Sequence, residues 1–220
     1  MDMRVLLGWL LAAGLLLASG PASAHPHVWI TASSELLYAE DGSITGVRHA
    51  WTFDDAFSAN AVQGLQEKSK GTYTREELAP LAKTQVESLK HNAYFTFLSV
   101  RERLPFAEPV DYFFDYEDDH LTLHFTLPLQ TPVKAKTVRL AIYDRSFFID
   151  FRLAKEHPLK LVGAPAGCEI WLGHSWQARS IGNDRDRELV QEASEDTFRE
   201  GGANAAVGLL FLVPILVECP

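Results

Sequence analysis

The chain has 220 residues, a formal net charge of −9, 47% hydrophobic and 22% charged residues, which excludes wholesale disorder and suits one large domain or two small ones. The acidic balance, without a Lys/Arg cluster, argues against nucleic-acid binding, so no nucleic-acid partner is expected. Its two cysteines are too few for a zinc ribbon or a disulfide-dense mini-scaffold.

The first 24 residues read as an export signal. Met1–Arg4 is a short basic n-region, Val5–Ala18 an apolar run, and Ser19–Ala24 a helix-breaking stretch that ends in Ala22-Ser23-Ala24. Cleavage after Ala24 leaves residues 25–220 as a periplasmic domain starting at His25. The apolar run is short for an uncleaved anchor.

His25-Pro26-His27 then stands at the new N-terminus. A terminal amine and imidazoles both ligate metals near neutral pH. On an extended chain the two histidines lie about 6.6 Å apart on one face. Pro26 has no N–H, which excludes the amino-terminal clamp that uses the second amide. What remains is a two-histidine, amine-assisted metal site that needs a further ligand, or two exposed histidines at a terminus.

Strands follow from alternation at His27–Thr31, continuing through Ser34–Tyr38, with a hairpin turn at Asp41-Gly42. The run Ile44–Phe53 places Val47, His49, Trp51 and Phe53 on one face. His49 therefore reads as a core histidine, with a ligand role as the alternative. Asp54-Asp55 closes that strand and opens a helix over Phe57–Leu65, so Asp54 is either an N-cap or an oxygen ligand completing the His25/His27 site.

Gln66 to Glu77 has the outline of an EF-hand loop, with Gly71 at the sharp turn and Glu77 at the bidentate position. Gln66, Lys68 and Lys70 stand where carboxylates belong, and ammonium groups there repel Ca²⁺, so no ion is expected. A second helix runs over Arg75–His91, opened by a capping box at Thr74–Glu77, with Leu78, Leu81, Ala82, Gln85 and Leu89 as its stripe.

Tyr94–Val100 is strand-like. Leu121–Leu127 alternates cleanly, with Leu121, Leu123, Phe125 and Leu127 inward and His124 outward. His120 and His124 on one strand sit about 13 Å apart and cannot share an ion without a bend. Val138–Phe151 is the longest β-rich run, with Asp144 and Asp150 on one face as ligands or solvated acids. A helix flanked by loops is expected within Gly182–Gly202. The tail Ala205–Pro220 falls short of the ~20 apolar residues a membrane span needs and reads as a buried terminal strand, with Pro214 at an edge or bulge. The mature chain is thus expected to be soluble, with no transmembrane helix. Cys168 and Cys219 form the default disulfide of an exported chain, or a thiol metal site. No G-x-S-x-G, HExxH or CxxC signature is present, so an enzyme is not expected.

Taken together, HPHVW after the signal, WTFDDAFS, YFTFLSV, YDRSFFIDF and the cysteine pair resemble a bacterial family of exported proteins of unknown function, labelled the periplasmic component of an uncharacterised ABC-type transport system. Where many relatives carry a DxNxDG-type run, this loop has Gln66, Lys68 and Lys70. Members of that family accompany NicO-like nickel/cobalt permeases and include Zev-type zinc-binding proteins. The resemblance implies Zn²⁺ or Ni²⁺ as the bound ion and a permease as the partner. It matches His25, His27, Trp51, Phe53, Asp54, Asp144, Cys168 and Cys219 by position.

The expectation is a single β-rich α+β domain with an EF-hand-like helix–loop–helix insertion and a C-terminal disulfide. Its function would be binding a divalent transition metal at His25 and His27, with Asp54, Asp144 and His49 as further candidate ligands. A periplasmic copper-binding protein and a metal-free envelope scaffold are the alternatives. Intact-mass measurement of exported protein is expected to give a chain that begins at His25; a retained leader would remove the terminal amine and with it the amine-assisted site.

Overall fold

Alternating apolar residues build most of this molecule. The computed structural model describes residues 27–65, 71–146, 148–173 and 212–220. The leader, His25, Gln66, Lys68, Lys70, the helix expected within Gly182–Gly202 and the first part of the tail lie outside them.

The described elements begin with β1 (Val28–Tyr38), β2 (Ile44–Phe53), α1 (Asp55–Ala61) and α2 (Arg75–Leu89). A 3₁₀ turn over Lys90–Phe95 leads into β3 (Thr96–Ser99), β4 (Val110–Glu117), β5 (His120–Val133) and β6 (Thr137–Ile142). They end with β7 (Ile149–Leu153), β8 (Leu159–Val162), β9 (Glu169–Leu172) and β10 (Ile215–Glu218).

One sheet runs β4-β5-β2-β1-β7, with β8 also paired to β1; the other runs β3-β6-β10-β9. Two hairpins organise the first sheet. Gly42, at φ +79°, turns β1 into β2, and Asp41 Oδ1 accepts from both the amide and the hydroxyl of Ser43. Those hydrogen bonds hold the Asp41 carboxyl down at about 2. Asp118 and Asp119, at φ +49° and +63°, make the two-residue turn from β4 to β5, where both central residues must be left-handed. β7 and β8 instead join the outer edge of β1 in parallel, after long connections.

The inward faces of the two sheets and α2 share one core. Val47, Trp51 and Phe53 of β2 and Leu121, Leu123, Phe125 and Leu127 of β5 are buried in it, as the alternation predicts. Full burial of each such side chain contributes about 1.5–3 kcal/mol. Leu98, Leu140 and Ile215 face them from the second sheet. Gly46 marks the closest approach of β2 to β5: a Cβ there would lie 2.4 Å from the Leu127 carbonyl oxygen. The result is a single β-rich α+β domain.

Several boundaries move. The first helix starts at Asp55, because Asp54 rather than a later residue caps it. Val86 takes the buried position on α2 expected for Gln85, since an apolar side chain is favoured there over an amide. The run Val138–Phe151 is not one strand: it breaks after Ile142, so β6 and β7 belong to different sheets and Asp144 and Asp150 do not share a strand face. In the tail, β10 is an interior strand between β6 and β9, and Pro214 stands just before its first residue. A proline N lacks a donor, so the position ahead of the ladder accommodates it.

Thr74 and Glu77 form the expected capping box on α2: the Thr74 amide donates to Glu77 Oε2 at 2.7 Å, and the Glu77 amide to Thr74 Oγ1 at 3.3 Å. The side chain at the EF-like twelfth position is thereby committed to a helix cap.

Cys168 and Cys219 are bonded, with Cα atoms 4.1 Å apart, and tie the start of β9 to the end of β10. Replacing Cys219 by Ser is expected to lower stability by about 2–4 kcal/mol in denaturant titrations. Equal stability of the variant and the oxidised wild type would show that the β9–β10 ladder holds without the link.

Candidate functional site at the start of the first strand

His27 is the last described residue before β1, exposed and fixed on both its backbone and its ring. Its amide donates to the Phe148 carbonyl at 2.9 Å, and its imidazole packs on the Phe148 ring at 4.7 Å between centroids. Phe148 and the neighbouring Trp29 are 48% and 40% exposed, so His27 sits in an aromatic patch open to solvent.

Two aspartates build this corner. Asp54 Oδ1 accepts the Phe57 amide at 2.9 Å and caps α1; its Oδ2 accepts the Trp29 amide at 2.7 Å. The Asp54 amide returns a bond to the Trp29 carbonyl at 3.0 Å. Asp54 is thus the N-cap that the sequence allowed, and it clamps β1 to α1 two residues from His27. A carboxylate offers about four lone-pair positions, so each oxygen keeps capacity for a further partner.

Asp144 is buried and turned into its own loop. Oδ1 accepts the Ser146 amide and hydroxyl at 2.9 and 2.8 Å, and Oδ2 the Ile149 amide at 3.0 Å. These bonds shape the loop that carries Phe148 to His27, so the part of Asp144 is to position. Asp150, also buried, is held by Arg152 at 2.9 Å.

His49 lies in the core at 1% exposure, against Trp51 and Phe125. Nδ1 is 2.8 Å from Ser34 Oγ and Nε2 is 3.1 Å from Thr96 Oγ1. Thr96 donates its own proton to the Tyr94 carbonyl at 2.8 Å. Its oxygen therefore accepts from Nε2–H, and Nδ1 accepts from Ser34. That arrangement is the satisfied core histidine and leaves neither nitrogen for an ion. Burial pushes its pKa down to about 3, so the ring is also too weak a base to activate Ser34.

The strand histidines go separate ways. His120 Nε2 meets Asp55 at 2.6 Å, while His124 stacks on Phe113 at 4.6 Å and faces Asp115 at 3.3 Å. Burial depresses the His124 pKa, with Asp115 opposing and Arg75 reinforcing the shift. Among the described residues, no three His, Cys, Asp or Glu side chains converge as a metal shell. A cleft of about 510 Å³ crosses the outer face of the first sheet, where Glu35 and Arg48 pair at 2.8 Å beside His124 and Lys160.

Residues 10–219 match the family of proteins of unknown function designated DUF1007. The chain belongs to this family. No curated protein matches it. In this DUF1007 member, Phe148 and Trp29 are the site residues that the sequence reading passed over. The readable signal was Asp144-Arg145-Ser146, an Asp-x-Ser turn of the same kind as Asp41-Gly42-Ser43.

The tautomer and burial of His49 give a pH prediction. Unfolded, an imidazole titrates near ~6.5. Above that pH neither state binds the proton; below it only the unfolded state does. Stability is therefore expected to fall by about 1.4 kcal/mol per pH unit from ~6.5 toward ~3. Melting curves of His49→Gln should show a flatter acid limb than wild type and lower stability at neutral pH by about 1–3 kcal/mol. An acid limb identical to that of wild type would assign it to other groups.

Proposed function

We propose that the protein is a periplasmic carrier for a divalent transition metal, Zn²⁺ or Ni²⁺, that exchanges the ion with a NicO-like membrane permease. The observation that carries this reading is the placement of His27: an exposed imidazole oriented by Phe148, two residues from the point where Asp54 grips β1. Because the described residues hold no three-donor shell, the remaining donors are the imidazole and terminal amine of His25 after removal of the leader. Imidazole, amine and carboxylate together suit Zn²⁺ and Ni²⁺. Each Asp54 oxygen retains a lone pair for that purpose.

Two further observations support, in turn, a carrier rather than a catalyst and an extracytoplasmic setting. The Ser34–His49 pair is buried and its imidazole barely basic. The Cys168–Cys219 bond fits an oxidising compartment. Resemblance to the permease-associated exported proteins supplies the partner.

Zinc and nickel calorimetry on the chain starting at His25 tests this. One ion is expected to bind, weakening in acid because a protonated imidazole cannot ligate. His27→Ala should weaken binding strongly, and loss of both histidines should abolish it. Asp54→Asn removes the charge and one of the two acceptor oxygens, so it can keep the α1 cap only by giving up the bond to the Trp29 amide; weaker binding measured where the variant is still fully folded would make Asp54 a ligand. An added N-terminal residue keeps both rings and removes the amine from His25. Unchanged affinity in the double histidine variant would overturn the reading.

A further inference from the structure

The cleft of about 510 Å³ on the outward face of the first sheet has no part in the metal reading. Its floor is built from small side chains. Ser33 pairs with Ala50 in the β1–β2 register, and Ala50 with His124 in the β2–β5 register, so a single methyl group stands between the hydroxyl and the imidazole. Adjacent strands lie about 4.8 Å apart, which leaves a gap over Ala50.

The wall beside β1 is fixed. The loop from β7 to β8 is pinned to β1 at both ends: the Ala154 amide donates to the Ala32 carbonyl at 2.9 Å, and the Ser34 amide to the Pro158 carbonyl at 3.0 Å. Glu156 and His157 of this loop and Lys160 of β8 line the cleft. Lys160 stands opposite Glu35 in the β1–β8 register, but Glu35 is turned the other way and accepts from Arg48 at 2.8 Å. Among the described residues, the Lys160 ammonium and the Glu156 carboxylate have no hydrogen-bond or ion-pair partner, and they do not pair with each other. At the far end Asp115 holds His124 Nε2 at 3.3 Å, and burial depresses the pKa of that imidazole, so this end of the cleft is neutral.

We infer that this cleft binds a small zwitterion, a free amino acid or a short peptide, whose carboxylate meets Lys160 and whose ammonium meets Glu156. Its charges are balanced, with Arg48 and Lys160 against Glu35 and Glu156. A ligand of one sign would be repelled by half of them, whereas one that carries both signs is matched at each end. The small floor leaves room for the ligand's own side chain or peptide backbone. The volume suits a molecule of that size rather than a folded partner.

Calorimetry of the processed chain at low ionic strength, with the common amino acids and with dialanine and trialanine, tests the inference. Saturable binding of at least one probe is expected, and whether it is an amino acid or a peptide identifies the source of the two charges. Acetylating the amine or amidating the carboxylate of that probe should weaken binding about tenfold or more. Lys160→Ala should weaken the unblocked probe to a similar degree and leave its amide unaffected; Glu156→Gln should do the same for the acetylated form. Both side chains are exposed, so these variants are expected to fold as wild type does. Ala50→Leu fills the floor from the outward side of β2 and should abolish binding. His27→Ala should leave it unchanged, which separates this site from the metal reading. No saturable heat from any of the probes at millimolar concentration, equal binding of blocked and unblocked forms, or binding indifferent to both Lys160 and Glu156 would overturn it.

Discussion

One buried hydrogen-bond relay sets the terms for the rest of the molecule. Ser34 on β1 donates to His49 on β2, and His49 donates to Thr96 on β3, across the gap between the two sheets. An imidazole at 1% exposure is tolerable only if both nitrogens are satisfied, and satisfying them requires one from each sheet. Apolar packing alone tolerates sliding; this relay does not. It locates β3 over β2 and packs the ring against Trp51 and Phe125. The Thr96 hydroxyl in turn donates to the Tyr94 carbonyl, within the left-handed turn at Ala93–Phe95.

Two aspartates tie irregular segments to that frame. Asp54 receives amides from β1 and α1, and Asp144 receives them from its own loop and β7. Both are buffers between rigid strand and irregular backbone, and both orient aromatic neighbours of His27. A carboxylate that accepts several backbone N–H groups costs little to desolvate, which is how acids come to stand beside apolar strands here.

How far the sequence disclosed this depends on the range of the interaction. The alternation of Leu121–Leu127, the face Val47/His49/Trp51/Phe53, the turn at Asp41-Gly42 and the Thr74–Glu77 box are local, and each is found as read. The split of Val138–Phe151 was hidden because β6 and β7 have the same residue preferences and differ only in which sheet they join. Periodicity carries no information on pairing partners. For the same reason the parallel seating of β7 and β8 on β1, and the interior place of β10, were not legible. Of the candidate site, the histidine motif and the capping acid could be read. The Phe148 contact could not, since it depends on a loop folding back over more than a hundred residues.

The position of β10 has a consequence for how the chain acquires its shape. β1, β2, β4 and β5 can assemble through short or moderate loops, but β6 gains its second neighbour only when residues 215–218 arrive. Until then its inner edge is an unfilled slot flanked by apolar side chains, a template for a strand of any other chain. Closure of that slot is long in sequence separation and correspondingly slow. The half-built molecule is therefore the vulnerable species, and a chaperone that shields a sheet with a missing middle strand would act in that interval.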